Sequence, residues 1–186
     1  MKIGILGGSF NPVHIGHLIL AERVCSELSL DRIFFVPCNI PPHKPDETLV
    51  PARARLRMVA MAIRGNPCFD ILDCEIKRGG VSYTVDTLED VRKTFPGSAL
   101  FLIVGSDLCK KFHTWKDPQR IKKIAHIVTV TRGGTSCRLH GSGMISIPRI
   151  EVSSSLIRQC IKEGTSIRYL VPDAVKKYIE KKKLYR

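Results

Sequence analysis

Lys2-Ile3-Gly4-Ile5-Leu6, followed at once by Gly7-Gly8-Ser9-Phe10-Asn11-Pro12-Val13-His14-Ile15-Gly16-His17, reads as an apolar strand, a glycine turn and the first turn of a helix. Gly7 and Gly8 allow a sharp bend and a close approach of main chain to a ligand, and Asn11-Pro12 marks a second turn. A helix opening near Ile15 would add unpaired amides and the positive end of its dipole, an arrangement suited to phosphate. His14 and His17 lie three positions apart, so both rings can face one ligand. The pattern is neither the Walker loop nor Gly-x-Gly-x-x-Gly.

Outward from this stretch, Ile15 to Leu28 predicts a helix with Leu18, Ala21, Val24, Cys25 and Leu28 on one face. Arg32 to Pro37 predicts a strand whose continuous apolar run Ile33-Phe34-Phe35-Val36 fits burial on both faces of a parallel sheet. The opening unit is therefore βαβ, with the glycine loop at the carboxyl end of its first strand. Pro51 to Arg64 predicts a helix, Phe69 to Cys74 with nearby Ile76 a strand region, and Val85, Leu88 and Val91 the inward face of a further helix. Strands are expected at Ala99 to Val104, at His126 to Thr131 and about Ile145 to Ile147, with a glycine-rich loop over 132–143. Pro172 to Lys183 predicts the closing helix. The expected fold class is α/β, a Rossmann-like, doubly wound, mainly parallel sheet with helices on both faces and a small C-terminal helical part. One domain over residues 1–186 is expected.

Thirty Lys plus Arg against 17 Asp plus Glu give a net charge of +13, which favours anionic partners. Aromatic residues make up only 6% of the chain, which speaks against base stacking along single-stranded nucleic acid and for polyphosphates as the partner. The lysine clusters at 176–177 and 181–183 read as a solvated helix face. No apolar run approaches the roughly 18 residues of a membrane span, and Met1 to Leu6 is too short for a signal-peptide core, so a cytoplasmic protein is expected. The seven cysteines are spread without a Cys-x-x-Cys pair; this suggests neither a disulfide framework nor a zinc knuckle, and most read as small core fillers.

Four later segments carry chemistry. Asn39-Ile40-Pro41-Pro42-His43-Lys44-Pro45 is a stiff, extended loop that holds Lys44 outward. Ser82-Tyr83-Thr84 leads into a helix that Thr84 is placed to cap, and Gly105-Ser106-Asp107 follows a strong strand, with Asp107 a candidate cap. Trp115, the only tryptophan, stands in a polar stretch. Val152-Ser153-Ser154-Ser155-Leu156-Ile157-Arg158 sets hydroxyls at a helix start and an arginine one turn in, a pattern suited to phosphate.

Taken together, these motifs resemble the nucleotidyltransferase superfamily with the His-x-Gly-His signature, here His14-Ile15-Gly16-His17, and within it the bacterial nicotinate-mononucleotide adenylyltransferases. The resemblance implies ATP and nicotinate mononucleotide as substrates and Mg²⁺ delivered with ATP, with no protein metal site. It implies catalytic roles for His14, His17, Lys44 and Arg158, and ATP contacts by Gly7, Gly8, Ser9, Phe10, Gly105, Asp107, Ser154 and Ser155. Thr84 and Trp115 are implied to hold the pyridine mononucleotide, Thr84 at its carboxylate and Trp115 by stacking. Competing readings are a phosphopantetheine adenylyltransferase, which the Ser-Tyr-Thr entry and Trp115 disfavour, and a basic nucleotide- or RNA-binding protein without catalysis. A synthetase fragment is disfavoured because no Lys-Met-Ser-Lys-Ser loop follows. Oligomeric state stays open.

Overall fold

The computed structural model describes residues 1–42, 49–131 and 143–186. Six strands form one parallel sheet in the order β3-β2-β1-β4-β5-β6. They are β1 (Lys2–Gly8), β2 (Arg32–Pro37), β3 (Phe69–Ile71), β4 (Ala99–Gly105), β5 (His126–Thr131) and β6 (Gly143–Ser146). The helices are α1 (Ile15–Leu28), α2 (Ala52–Ile63), α3 (Cys74–Arg78), α4 (Thr84–Thr94), α5 (Ser106–Cys109), α6 (Pro118–Ile124), α7 (Ser154–Lys162) and α8 (Asp173–Lys182), with a 3₁₀ turn at Phe112–Thr114. This is the doubly wound, Rossmann-like order, parallel at every neighbouring pair.

Alternate strand residues feed two cores, as a pleated sheet requires. Leu6, Ile33, Phe35, Ile103 and Val128 join Val24, Met58, Val59, Ile157 and Val175 from α1, α2, α7 and α8 on one face. Ile3, Ile5, Phe34, Leu102 and Val104 join Val85, Leu88, Val91 and Ile121 from α4 and α6 on the other.

The register locates the crevice. Pairing between β1 and β4 ends at Ile5 and Leu102, whereas β1 continues beside β2 to Gly8 and Pro37, and β4 beside β5 to Gly105 and Val130. The two central strands therefore part over their last residues, at the point where strand order reverses.

Four local expectations need correction. Residues 74–78 form a helix rather than a continuation of the strand region: Glu75 sits in its first turn, Lys77 and Arg78 in its last, and Gly79 (φ 71°) ends it, a charge order that matches the helix dipole. Gly7 and Gly8 are still extended strand, and the left-handed residue of the loop is Phe10 (φ 46°). The cap of α4 is Tyr83, with Thr84 as the first helical residue, and the cap of α5 is Gly105, with Asp107 already inside the helix. Cys25, Cys38, Cys68, Cys74 and Cys160 are free thiols, but Cys109 is disulfide-bonded, which the spacing does not signal.

Gly4 has a packing reason. A Cβ there would lie 2.9 Å from both Ile33 and Leu30 side chains and 3.2 Å from Ile103, inside the core on the α1 face. Gly4→Val should accordingly lower stability by about 1–3 kcal/mol through overpacking, read as a fall in thermal midpoint.

Candidate active site

Main-chain carbonyls of the loop from Ser9 to Pro12 are held by donors from two other segments, α2 and α7. Arg55, on the inward stripe of α2 with Met58 and Val59, is only 1% exposed. Its Nη1 donates to Ser9 O at 2.8 Å, its Nη2 to Asn39 O at 3.0 Å and its Nε to Val50 O at 3.1 Å. Asn11, fully buried, accepts from Val50 N–H at its Oδ1 (3.3 Å), while its carbonyl accepts from Arg158 Nη1 (2.9 Å). Ser154 Oγ donates to Pro12 O at 2.8 Å. The serine motif at the start of α7 thus lies against the glycine loop although 142 residues separate Ser154 from Pro12.

The histidines sit on this frame. His14 precedes α1 in extended conformation, and its N–H donates to Nδ1 of His17 at 3.2 Å. An imidazole nitrogen that accepts carries no proton, so a neutral His17 ring holds its proton on Nε2 and presents a donor there. The two rings stack with centroids 3.7 Å apart, and Phe10 meets His17 edge-on at 5.1 Å. His14 is 3% exposed and Phe10 1%, whereas His17 is only half-buried, so His17 is the more outward of the two imidazoles. One first-turn amide of α1 already has a partner, Ile15 N–H donating to Leu170 O at 3.0 Å.

At the carboxyl end of the sheet β4 ends in Gly105, and Trp115 follows the 3₁₀ turn, half-buried and tilted against Phe112 with centroids 5.2 Å apart. Lys116 ties this segment to α4: its Nζ lies 3.1 Å from both Asp86 carboxylate oxygens and 4.6 Å from the centre of the Tyr83 ring. Trp115 and Thr84 are thereby brought to one side of the crevice. The side chain of the N-cap residue Tyr83 makes no capping hydrogen bond to the first turn of α4.

Of the other expected residues, Ser153 caps α7, accepting from Leu156 N–H at 3.1 Å, and Ser155 Oγ accepts from Arg158 Nη2 at 3.3 Å. Lys44 and the loop over 132–142 lie outside the described residues, as does the side chain of Asp107. Among the described residues no group of three or more His, Cys, Asp or Glu is arranged to hold a metal.

Three residues escaped the sequence reading: Asn11, Arg55 and Glu75. Arg55 could have been found, because it occupies an inward position of α2 at the spacing of Met58, Val59 and Ile63. Glu75 carries no such signal, since its segment reads as strand. It is 6% exposed; burial pushes its carboxyl above the usual range, while hydrogen bonds from Thr87 and Ser82 act in the opposite sense.

A parallel sheet parted at its switch point, a glycine loop and a histidine pair at a helix start together define a nucleotide-binding transferase of the cytidylyltransferase-like class, and the family model of that description matches residues 5–160. Curated relatives named probable nicotinate-nucleotide adenylyltransferases include one from Thermus thermophilus, 43% identical with all of both chains covered. Another, from Dehalococcoides mccartyi, is 41% identical over all of this chain and 97% of its own. A solved structure, the Plasmodium falciparum nicotinic acid mononucleotide adenylyltransferase complexed with NaAD, superposes with a TM-score of 0.84 over 99% of this chain and 97% of that one; at 21% identity the likeness concerns the fold. The chain belongs to the nicotinate-nucleotide adenylyltransferase family.

Gly16 explains the third position of the histidine motif. A Cβ there would stand 3.1 Å from Nδ1 and 3.2 Å from Cε1 of His14, so a side chain at this position would press the ring away by a few tenths of an ångström. Gly16→Ala should gain up to about 1 kcal/mol of helix propensity yet lower turnover at least tenfold by displacing the stacked rings. Steady-state kinetics beside a melting curve checks both halves.

Proposed function

We infer that these residues transfer AMP from ATP to nicotinate mononucleotide, giving deamido-NAD and pyrophosphate. The observation that supports this most directly is the orientation of His17, whose Nδ1 accepts from the main chain and whose Nε2 is thereby made a donor. The attacking group is a phosphate monoester oxygen, substantially ionised at neutral pH because its second pKa is about 6. No strong base is required. The mononucleotide oxygen bonds to the α-phosphorus, the bond from that phosphorus to the β-phosphate bridging oxygen breaks, and pyrophosphate leaves with the electron pair.

The protein's work is alignment and charge neutralisation. His17 donates to the triphosphate, with His14 stacked behind it as the second member of the pair. Gly7, Gly8, Ser9 and Phe10 line the ATP side, Phe10 by its main chain. Gly105 and Asp107 hold the ribose. Ser154, Ser155 and Arg158 flank the phosphates from the start of α7, and Lys44 adds charge from the loop after β2. Two Arg158 donors already brace Asn11 and Ser155, so its part is to position the loop as well as to attract phosphate. Imidazole and guanidinium suit phosphate oxygens better than a hard cation, which fits Mg²⁺ arriving on ATP with several of its waters. When bound, Mg²⁺ spreads the charge developing on pyrophosphate. A cytoplasmic location and a single domain over residues 1–186 belong to the same reading; no helix among the described residues is long and apolar enough to cross a membrane.

His17→Ala should reduce kcat by about a hundredfold or more, the scale of losing one aimed transition-state donor, with a much smaller change in mononucleotide KM. Near-normal turnover would remove His17 from the mechanism.

Acceptor choice follows from α4. Its uncapped first turn offers amides that are all donors, at the positive end of the dipole, and Lys116 offsets the charge of Asp86 there. A pyridine carboxylate matches these donors. A carboxamide sets its NH₂ against them, leaving buried groups unpaired at about 1–3 kcal/mol each. Nicotinate mononucleotide should therefore be used at least about tenfold more efficiently than nicotinamide mononucleotide, with Trp115 stacking on both rings. Incubation with ATP, Mg²⁺ and each mononucleotide, read by product mass and rate, decides the point, and equal efficiency would refute the α4 docking.

A further inference from the structure

Beneath the acceptor half of the site lies a buried carboxylate to which the mechanism above gives no task. Glu75 Oε1 accepts from Thr87 Oγ1 at 2.6 Å, and the Ser82 hydroxyl is its second hydrogen-bond partner. The donor directions are fixed by chemistry. Ser82 Oγ accepts from Asn39 N–H at 2.9 Å, which leaves the Ser82 proton for Glu75. A relay therefore runs from the Asn39 amide through Ser82 to Glu75, met from the other side by Thr87. Ser82 and Thr87 bracket Tyr83 and Thr84, the residues that open α4. At its far end the relay meets the frame of the ATP loop, since Asn39 O accepts from Arg55 and Arg55 also holds Ser9 O.

We propose that Glu75 is a positioning residue for the acceptor mononucleotide: its carboxylate fixes the Ser82–Thr87 turn so that the first amides of α4 converge on the pyridine carboxylate. The inference rests on the α4 docking described above. Packing alone gives no reason for an acid here. Burial raises the Glu75 pKa against the pull of Thr87, Ser82, Arg78 and Arg55, and the other titratable groups facing it, Cys38 and Cys74, bring no positive charge. A folded-state pKa above the ordinary carboxylate value means that this group's contribution to stability is present below that value and is lost as pH rises through the folded one. Above the ordinary carboxylate range the buried acid is thus a stability cost, of the kind retained where a site needs it.

The test is Glu75→Gln in the full chain at neutral pH, with kinetics for both substrates and a melting curve. The expected result is a melting midpoint equal to or above that of the parent protein. Nicotinate mononucleotide KM should rise about tenfold as the turn loses an acceptor, ATP KM should stay within about twofold, and the preference for acid over amide should narrow. Thr87→Val should shift the same KM in the same direction, and Thr87→Ser, which keeps the donor, should restore it. Unchanged mononucleotide KM and preference in Glu75→Gln, in a protein whose parent prefers the acid, would overturn the positioning role and leave the docking intact. A parent protein without that preference would overturn both. A lowered midpoint with both KM values raised alike would mark Glu75 as merely structural and so overturn the proposal.

Discussion

The guanidinium of Arg55 is the contact on which the crevice depends. A buried cation ordinarily needs a countercharge, yet its direct oxygen partners here are three main-chain carbonyls, from Ser9, Asn39 and Val50. Those carbonyls belong to segments that make no sheet ladder with one another: the loop after β1, the loop after β2 and the lead-in to α2. Each is a part-buried acceptor for which Arg55 supplies the donor. The planar fork of arginine suits three acceptors in three directions, whereas lysine would offer one point charge on a flexible stem.

Asn11 extends the same logic to the far side of the loop. Its side chain is held by Val50 and its carbonyl by Arg158, while Ser154 holds the next carbonyl, so α2 and α7 grip the loop from two sides. The serine motif of α7 consequently has two duties. Ser153 and Ser154 satisfy backbone groups, and the charge of Arg158 stands beside the loop it braces. Motif residues that look like ligand contacts in sequence are here partly the scaffolding of another motif, which is why substitutions among them should couple rather than add.

How much of this was legible in the chain follows from what each signal measures. Periodicity located α1, β2 and β5 to the residue because their burial is one-sided or complete. It misread residues 74–78, where a short helix is set by charge order and Gly79 rather than by an apolar stripe. Glycine content drew attention to this loop for an incomplete reason: Gly8 makes room for the ring of Phe10, 3.1 Å from where its Cβ would stand, and it is Phe10 that takes the left-handed backbone. The two histidine rings lie together, 3.7 Å apart, but His14 is buried, and which ring faces outward depends on the fold beneath. Arg55 leaves a mark only as a charge on the inward stripe of α2, whereas Asn11 and Glu75 stayed hidden because their partners lie in other segments and impose no periodic pattern.

The stacked histidines show how such a frame becomes chemistry. Gly16 lets the His14 ring lie back, and the His14 amide then fixes the proton of His17 on the outward nitrogen. A general base would need that nitrogen unprotonated; a triphosphate needs it as a donor. With an acceptor phosphate already ionised, abstraction of a proton is not the difficult step, and charge building on departing pyrophosphate is. On the proposed mechanism, the tautomer set by one main-chain hydrogen bond matches the demand of the reaction. It does so at a point where the sheet has parted and loops are held by carbonyl contacts rather than by strands.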